Sequence, residues 1–318
     1  MKNKKGFVPS QIIFAATEAC NLHCSHCFVS QTPAKLDYED AIIFLESCKD
    51  SCINTVGFSG GEPFLASDFI CKVSEFACKN DFLFDRIMTN GVWWNTQNQL
   101  EETLTRVYNS GYDGKIGLSY DSFHNQPYSK ILTFIKTVYS IWNNTSMIEI
   151  QSVISDNPND KIQDLENFEK LSEDLNTEVS LNLDKTGKGI IVLQNDQIFL
   201  PIYRTEQSFS SEDKRAWNSK KWFKDDFCEG PGQILFVHSN GNIVPCCGFA
   251  NENEKLIIGS ITDNLQTVLK NAISNKMVEL CYTNGLSKAI KICKKNKIMI
   301  PGKTTDICAF CDFVCKKL

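Results

Sequence analysis

The 318-residue sequence predicts an α/β fold: an open, partial parallel barrel of six strand-helix repeats, followed by a small cysteine-rich extension. Three observations lead there. Short runs rich in Ile, Val and Phe alternate with longer amphipathic segments through roughly the first 185 residues. The most unusual residues fall just after those short runs, at the strand ends where parallel barrels carry their sites. Cysteines cluster at short spacings near both ends of the chain.

Taken in order, the apolar runs give strands at 11–14, 55–58, 84–88, 116–120, 148–153 and 179–183. The amphipathic segments between them give helices at 38–48, 68–79, 97–109, 128–142 and 161–175. Six repeats cannot close the eight-stranded barrel, so the fold class expected is a partial (β/α)6 barrel occupying residues 1–186. Its strand ends would present residues 20–27, 59–63, 89–91 and 119–124. From 187 to 227 the pattern weakens into mixed Lys, Asp, Ser and aromatic residues, which reads as a connecting region placed to contact substrate. Residues 228–318 form the extension. It opens on a hairpin signal, 233–238 and 242–244 flanking the turn Ser239-Asn240-Gly241, because Asn-Gly readily takes the positive φ angles of a tight turn. A helix at 265–280 and a cysteine-rich end at 308–318 follow.

With 42% hydrophobic residues the chain can bury a full core, and a net charge of −5 without a strongly basic stretch excludes binding driven by phosphate neutralisation. Nucleic acid is therefore not expected as a partner. Fifteen cysteines is an odd number, and their clustering favours metal ligation over a disulfide framework. The apolar stretch 12–16 is shorter than a signal-peptide core and follows Pro9, Ser10 and Gln11, while Glu18 does not suit a lipoprotein cleavage site before Cys20. No stretch approaches the roughly 18 apolar residues of a membrane helix. A cytoplasmic protein with no membrane partner is the expectation, since reduced thiols there can hold iron and sulfide.

Cys20, Cys24 and Cys27 place three thiolates within eight residues. A cubane iron-sulfur cluster takes four cysteines when fully held by protein, so three leave one iron open to a small molecule bearing amino and carboxylate groups. Zinc is the alternative, with His23 or His26 completing the shell. The C-x3-C-x2-C loop after the first strand resembles the hallmark of the radical S-adenosylmethionine (SAM) superfamily. His26 stands where that family usually has an aromatic residue, with Phe28 beyond Cys27. Ser59-Gly60-Gly61-Glu62-Pro63, after the second strand, resembles the family's Gly-Gly-Glu motif, which receives the amino group of SAM. Thr89-Asn90-Gly91 and Ser119-Tyr120-Asp121 resemble the family's later strand-end segments. The resemblance implies a 4Fe-4S cluster on Cys20, Cys24 and Cys27. It implies SAM held by Ser59, Gly60, Gly61, Glu62, Asn90, Ser119 and Asp121, with Asp121 and His124 toward the substrate side.

Cys228, Cys246, Cys247, Cys308, Cys311 and Cys315, with the Asn-Gly hairpin between the first two, resemble the SPASM/twitch extensions of radical SAM enzymes that mature peptides. Two auxiliary clusters would need up to eight ligands, so six cysteines imply one auxiliary 4Fe-4S cluster. Adjacent side chains in an extended segment point to opposite faces, so Cys246 and Cys247 are not expected to share a cubane. The expected ligands are Cys228, Cys246, Cys308 and Cys311, with Cys315 as the alternative fourth. Cys247 is left as a thiol aimed toward the barrel and assigned as the catalytic hydrogen donor. Cys48, Cys52, Cys71, Cys78, Cys281 and Cys293 carry no assigned role.

Together the two halves imply a 5'-deoxyadenosyl radical that takes a Cα hydrogen from a ribosomally synthesised precursor peptide, with electrons from a reductant such as flavodoxin or ferredoxin. Hydrogen returned by a thiol to the opposite face would invert the carbon. The pattern is similar to YydG-type peptide epimerases in the cysteine loop, residues 58–62, residues 119–124, Val244-Pro245-Cys246-Cys247 and residues 307–311; Cys315 departs from it. Peptide cross-linking through thioether or carbon-carbon bonds, and a non-catalytic metal-binding module, are the alternatives. The residues before the first strand are too few for a leader-recognition domain, so recognition is expected at the barrel mouth, the 187–227 region or another chain.

Overall fold

The computed structural model describes residues 6–224 and 233–318. In chain order the elements are β1 (Gln11–Ala15), α1 (Tyr38–Glu46), β2 (Thr55–Ser59), α2 (Ser67–Lys79), β3 (Leu83–Thr89), α3 (Gln97–Asn109), β4 (Lys115–Ser119), α4 (Tyr128–Trp142), β5 (Ile148–Ile154) and α5 (Pro158–Leu175). There follow β6 (Glu178–Leu183), β7 (Gly189–Gln194), β8 (Phe199–Glu206), β9 (Ile234–Val237), β10 (Asn242–Val244), β11 (Gly259–Ser260), α6 (Leu265–Ser274), α7 (Lys276–Glu279), a π-helical turn (Leu280–Asn284), α8 (Leu286–Lys295) and α9 (Ile307–Lys317). Among the described residues no helix is long and apolar enough to cross a membrane. The chain divides into two compact units: residues 15–38 and 56–207 make one, and the remaining described residues the other.

In the first unit the strands lie in the order β2-β3-β4-β5-β8-β7-β6. β3, β4, β5 and β8 run parallel, with Ile87 opposite Ile116, Ile116 opposite Ile148 and Ile150 opposite Ile202. These five isoleucines are fully buried, as strands covered on both faces require. The helices present apolar stripes at helical spacing, such as Leu100, Leu104 and Val107 on α3 and Ile131, Phe134, Ile135 and Val138 on α4. Their ends follow from capping chemistry. The Thr96 side chain accepts from Gln99 N at the start of α3, and Asn157 from Asn159 N before Pro158 opens α5. Asn143 and Asn176 stop α4 and α5 in the left-handed region, where a short polar side chain is tolerated.

Beyond β5 the sequence expectation needs correcting. The sixth predicted strand does form, but β6 is antiparallel to β7 at the end of the order and five of its six residues are exposed. The place beside β5 is taken by β8, from within the stretch 187–227 that was expected to be connecting. Here β7 and β8 form an antiparallel hairpin about Asn195, whose side-chain oxygen accepts from Gln197 N and Ile198 N. Both strands carry short apolar runs, Ile190 to Leu193 and Phe199 to Tyr203, which the sequence reading passed over because the polar and aromatic residues around them dominate the 187–227 stretch.

In the second unit the strand order is β11-β10-β9-β1, with β1 parallel to β9 and β10 antiparallel to both its neighbours. The expected hairpin is present. Gly241 takes φ +85° and its N–H donates to His238 O at 2.8 Å, closing the turn. The helix expected over 265–280 is two helices, because Asn275 ends α6 and its side chain accepts from Met277 N and Val278 N to start α7.

Removing the Leu104 side chain from the face of α3 is expected to cost about 2–5 kcal/mol. Ile273, 82% exposed on α6, should change stability by less than about 0.5 kcal/mol when cut to Ala. Urea unfolding of Leu104→Ala and Ile273→Ala, followed by circular dichroism, checks the contrast; equal midpoints would contradict the packing described.

Candidate active site and auxiliary cysteine cluster

The first cysteine loop leaves β1 through Thr17, which is fully buried. Its hydroxyl donates to Ala34 O and accepts from Ala19 N, so both sides of the loop are fastened to one side chain. The exit of β2 lies directly against this segment: Gly61 N donates to Thr17 O at 2.7 Å and Glu62 N to Ala19 O at 2.8 Å. A Cβ on Gly60 would stand 2.3 Å from Thr17 O, and one on Gly61 would stand 2.3 Å from Ala19 O and 2.4 Å from Glu18 O. Gly60 also has φ +133°. Two glycines are therefore a steric requirement for bringing the second strand end onto the cysteine loop.

Glu62 is completely buried. Its carboxylate accepts from Thr89 Oγ1 at 2.8 Å, Asn90 N at 2.8 Å and Phe64 N at 3.2 Å, so it joins the ends of β2 and β3. Asn90 carries the connection forward: its amide donates to Asn21 Oδ1 at 2.8 Å and, more distantly, to Cys20 Sγ at 3.7 Å. Leu22 N also donates to Cys20 Sγ, at 3.4 Å. Cys20 and Cys24 are half-buried and Cys27 is exposed. Burial raises the Cys20 thiol, and burial together with Cys20, Cys27 and Asp121 pushes Cys24 up to about 11.

The end of β4 is fixed from behind. Both oxygens of buried Asp121 are engaged, Oδ1 with Phe123 N at 3.1 Å and His124 Nδ1 at 2.7 Å, and Oδ2 with Val153 N at 2.8 Å on β5. Asp164, from α5, accepts from Ser122 N at 2.8 Å. Gln126 donates to Asn90 O and Ser119 O, tying β3 to β4. His26, beside Cys27, packs on the rings of Phe123 and His124 with centroids 4.8 and 5.0 Å away. Ser59 and Ser119 are half-buried at the ends of their strands. The predicted residues of this region thus gather in one place, but Glu62 and Asp121 spend their carboxylates on backbone and side chains of the protein itself.

In the other unit Cys246, Cys281, Cys308 and Cys311 line one apolar cavity together with Pro245, Phe249, Leu256 and Tyr282. Cys247 is half-buried and does not line it. Gly248 N donates to Cys246 Sγ at 3.2 Å, and Cys281 Sγ lies 3.4 Å from Cys311 Sγ. Cys308 and Cys311 share a face of α9, whose first turn Asp306 caps through Cys308 N and Ala309 N. Burial raises the Cys246 thiol well above its ordinary value. Cys315 is fully buried one turn further along α9. Cys228, expected as a ligand, lies outside the described residues.

The model of the radical SAM superfamily matches residues 15–146, and that of SPASM, an iron-sulfur cluster-binding domain, matches residues 228–295. The chain carries a radical SAM domain and a SPASM domain. A putative peptide biosynthesis protein YydG of Bacillus subtilis (strain 168) is 22% identical over 312 residues, covering 92% of this chain and 88% of that protein. The S-adenosylmethionine-dependent nucleotide dehydratase RSAD2 of Oncorhynchus mykiss is 32% identical over 120 residues, 36% of this chain and 32% of its own. Among solved structures, native anSMEcpe with bound AdoMet and Cp18Cys peptide superposes with a TM-score of 0.54 at 16% identity, covering 87% of this chain and 88% of that one.

A radical SAM domain binds SAM and a 4Fe-4S cluster, and a SPASM domain an auxiliary iron-sulfur cluster. The residues present suit both groups. Among the described residues no three His, Cys, Asp or Glu side chains converge tightly enough for a single metal ion. The first loop offers three thiols with N–H donors to one sulfur, and the second cavity is apolar with four thiols on its wall. Sequence reasoning missed Asn21, Gln126, Asp164 and the approach of Cys281. Asn21 occupies a position that the C-x3-C-x2-C spacing leaves unspecified, the other three belong to no fixed-spacing motif, and only the fold brings them in.

Burial lifts the Glu62 carboxyl from 4.5 to about 7 against the three hydrogen bonds that lower it. The folded chain then binds this proton more tightly than the unfolded chain, so Glu62 costs stability as pH rises from about 4.5 through about 7. Glu62→Gln should remove that slope, read as the difference between wild-type and variant unfolding free energies across this range. A difference that stays constant with pH would contradict the assignment.

Proposed function

We propose that the chain is a radical SAM peptide epimerase that converts an L-residue of a ribosomally synthesised peptide to its D-form. Peptide maturation is supported by the similarity to the YydG peptide biosynthesis protein across 92% of the chain. The observation that carries epimerisation is the divergence of two adjacent thiols: Cys246 lines the SPASM cavity and Cys247 does not. One thiol then lies at the cluster cavity and its neighbour outside it.

In this reading Cys20, Cys24 and Cys27 hold the first cluster, and Cys228, Cys246, Cys308 and Cys311 hold the auxiliary one. Cluster and SAM, when bound, supply a 5'-deoxyadenosyl radical that abstracts a Cα hydrogen. Ser59, the Gly60-Gly61 backbone, Asn90 and Ser119 hold SAM, while Glu62 and Asp121 keep those strand ends in position. Cys247 returns hydrogen to the opposite face: its S–H bond breaks as the new Cα–H bond forms. One electron from an external reductant such as flavodoxin or ferredoxin, with one proton from solvent, restores the resulting thiyl to a thiol. A reducing compartment, the cytoplasm, suits this set of thiols.

The test is anaerobic reaction with the cognate precursor peptide in heavy water, followed by mass and chirality analysis. Epimerisation adds one deuterium without other change and yields a D-residue. Loss of two hydrogens would instead identify a cross-linking enzyme, and absence of SAM cleavage a binding module. Cys247→Ala should still produce deoxyadenosine yet give no D-residue; a normal D-residue yield would remove Cys247 from the reaction.

A further inference from the structure

We propose that the outer edge of β6 docks the precursor peptide, an extended segment of which adds to the sheet as a further strand, apolar at alternate positions and basic between them. The proposal rests on the reading of the substrate as a ribosomally synthesised peptide. β6 pairs with β7 on one side, and among the described residues no strand lies on the other. In an antiparallel pair every second residue turns its N–H and C=O away from its partner, so this edge presents a row of backbone donors and acceptors to an incoming strand.

Outer strands are ordinarily protected by shortness, Pro, Lys or a bulge. β6 has none of these. Its six residues, Glu178 to Leu183, include neither Pro nor Lys, and the register runs unbroken from Glu178 opposite Gln194 to Leu183 opposite Gly189. β11, an outer strand of the second unit, is by contrast two residues long. One face of the β6 edge is apolar. Directly opposite residues of an antiparallel pair share a face, so Val179 continues the row of Leu193 and Leu200, and Leu181 the row of Ile191 and Ile202. Those four residues of β7 and β8 are buried, whereas Val179 is 45% and Leu181 65% exposed. The rows end in water at the place where one more strand would extend them. α5 lies over the same face, since Arg204, in line with Leu200 and Ile202 on β8, holds its guanidinium 5.4 Å from the Phe168 ring. Besides buried Asp164, that helix has five acidic residues against two basic ones, and Glu178 adds another on β6. Lys185 and Lys188 lie beyond the far end of β6, in the turn to β7. The charge along the edge therefore favours a basic partner.

The test uses the full chain and the fluorescein-labelled cognate precursor peptide, with binding read by fluorescence anisotropy. The double variant Val179→Lys, Leu181→Lys, which changes only exposed side chains of the edge, should weaken binding about tenfold or more. Ile273→Lys on α6 should leave it unchanged. Against wild-type protein, peptides carrying one backbone N-methyl group at successive positions should alternate between weakened and unaffected, because only every second N–H faces the neighbouring strand. Glu178→Lys should weaken binding and flatten its dependence on salt. The docking role is overturned if the double variant binds the peptide as tightly as wild type, or if N-methylation shows no two-residue period. An unchanged salt dependence in Glu178→Lys overturns the basic character of the segment. Should the double variant turn a dimer into a monomer with peptide affinity unchanged, the edge belongs to a second copy of the chain and the proposal falls. Wild-type protein that does not bind the precursor peptide would refute the peptide-substrate reading itself, an outcome distinct from failure at β6.

Discussion

Two backbone segments meet with no side chain between them at the centre of the radical SAM domain. The carbonyls of Thr17 and Ala19 accept from Gly61 N and Glu62 N, and the glycines leave no Cβ in the gap. Position of the cysteine loop, orientation of the second strand end and burial of Glu62 all depend on that contact. An added methyl group at either glycine meets carbonyl oxygen, which cannot rotate away as a flexible side chain would.

Around this contact the strand ends are joined by buried polar groups. Glu62 links β2 to β3, Asp121 links β4 to β5, and Gln126 links β3 to β4. Hydrogen bonds to a charged group contribute about 1.5–3 kcal/mol each, and leaving such a buried group unpaired costs comparably. The acidic residues that look most like ligand contacts in the sequence are thus the fasteners of the site. Ser59, Ser119, Cys20 and Cys24 are half-buried and Cys27 is exposed.

Much of this was legible beforehand because the relevant signals are local. Apolar runs locate β1 to β5, the Asn-Gly turn locates the β9–β10 hairpin, and C-x3-C-x2-C with Gly-Gly-Glu locates the two segments that touch. What sequence reading missed depends on pairing at a distance. The strand at 178–183 looked like an inner strand, yet Leu181 is 65% exposed and β8 occupies the position beside β5. Asp164 lies 42 residues from the Ser122 amide it accepts from, and Cys281 lies 30 residues from Cys311. A spacing set by tertiary packing leaves no periodicity to detect. Cys246 lines the cavity and Cys247 does not, but the pair lies beyond the end of β10, outside any strand whose alternation could set their directions.

The contact between the glycines and the cysteine loop is tested most directly by Gly61→Ala, with iron and deoxyadenosine measured after anaerobic reconstitution. The account predicts that iron falls from about eight to about four per chain, as one of two four-iron clusters is lost, and that deoxyadenosine formation stops while the circular dichroism spectrum is retained. Full iron content with wild-type SAM cleavage in Gly61→Ala would contradict it.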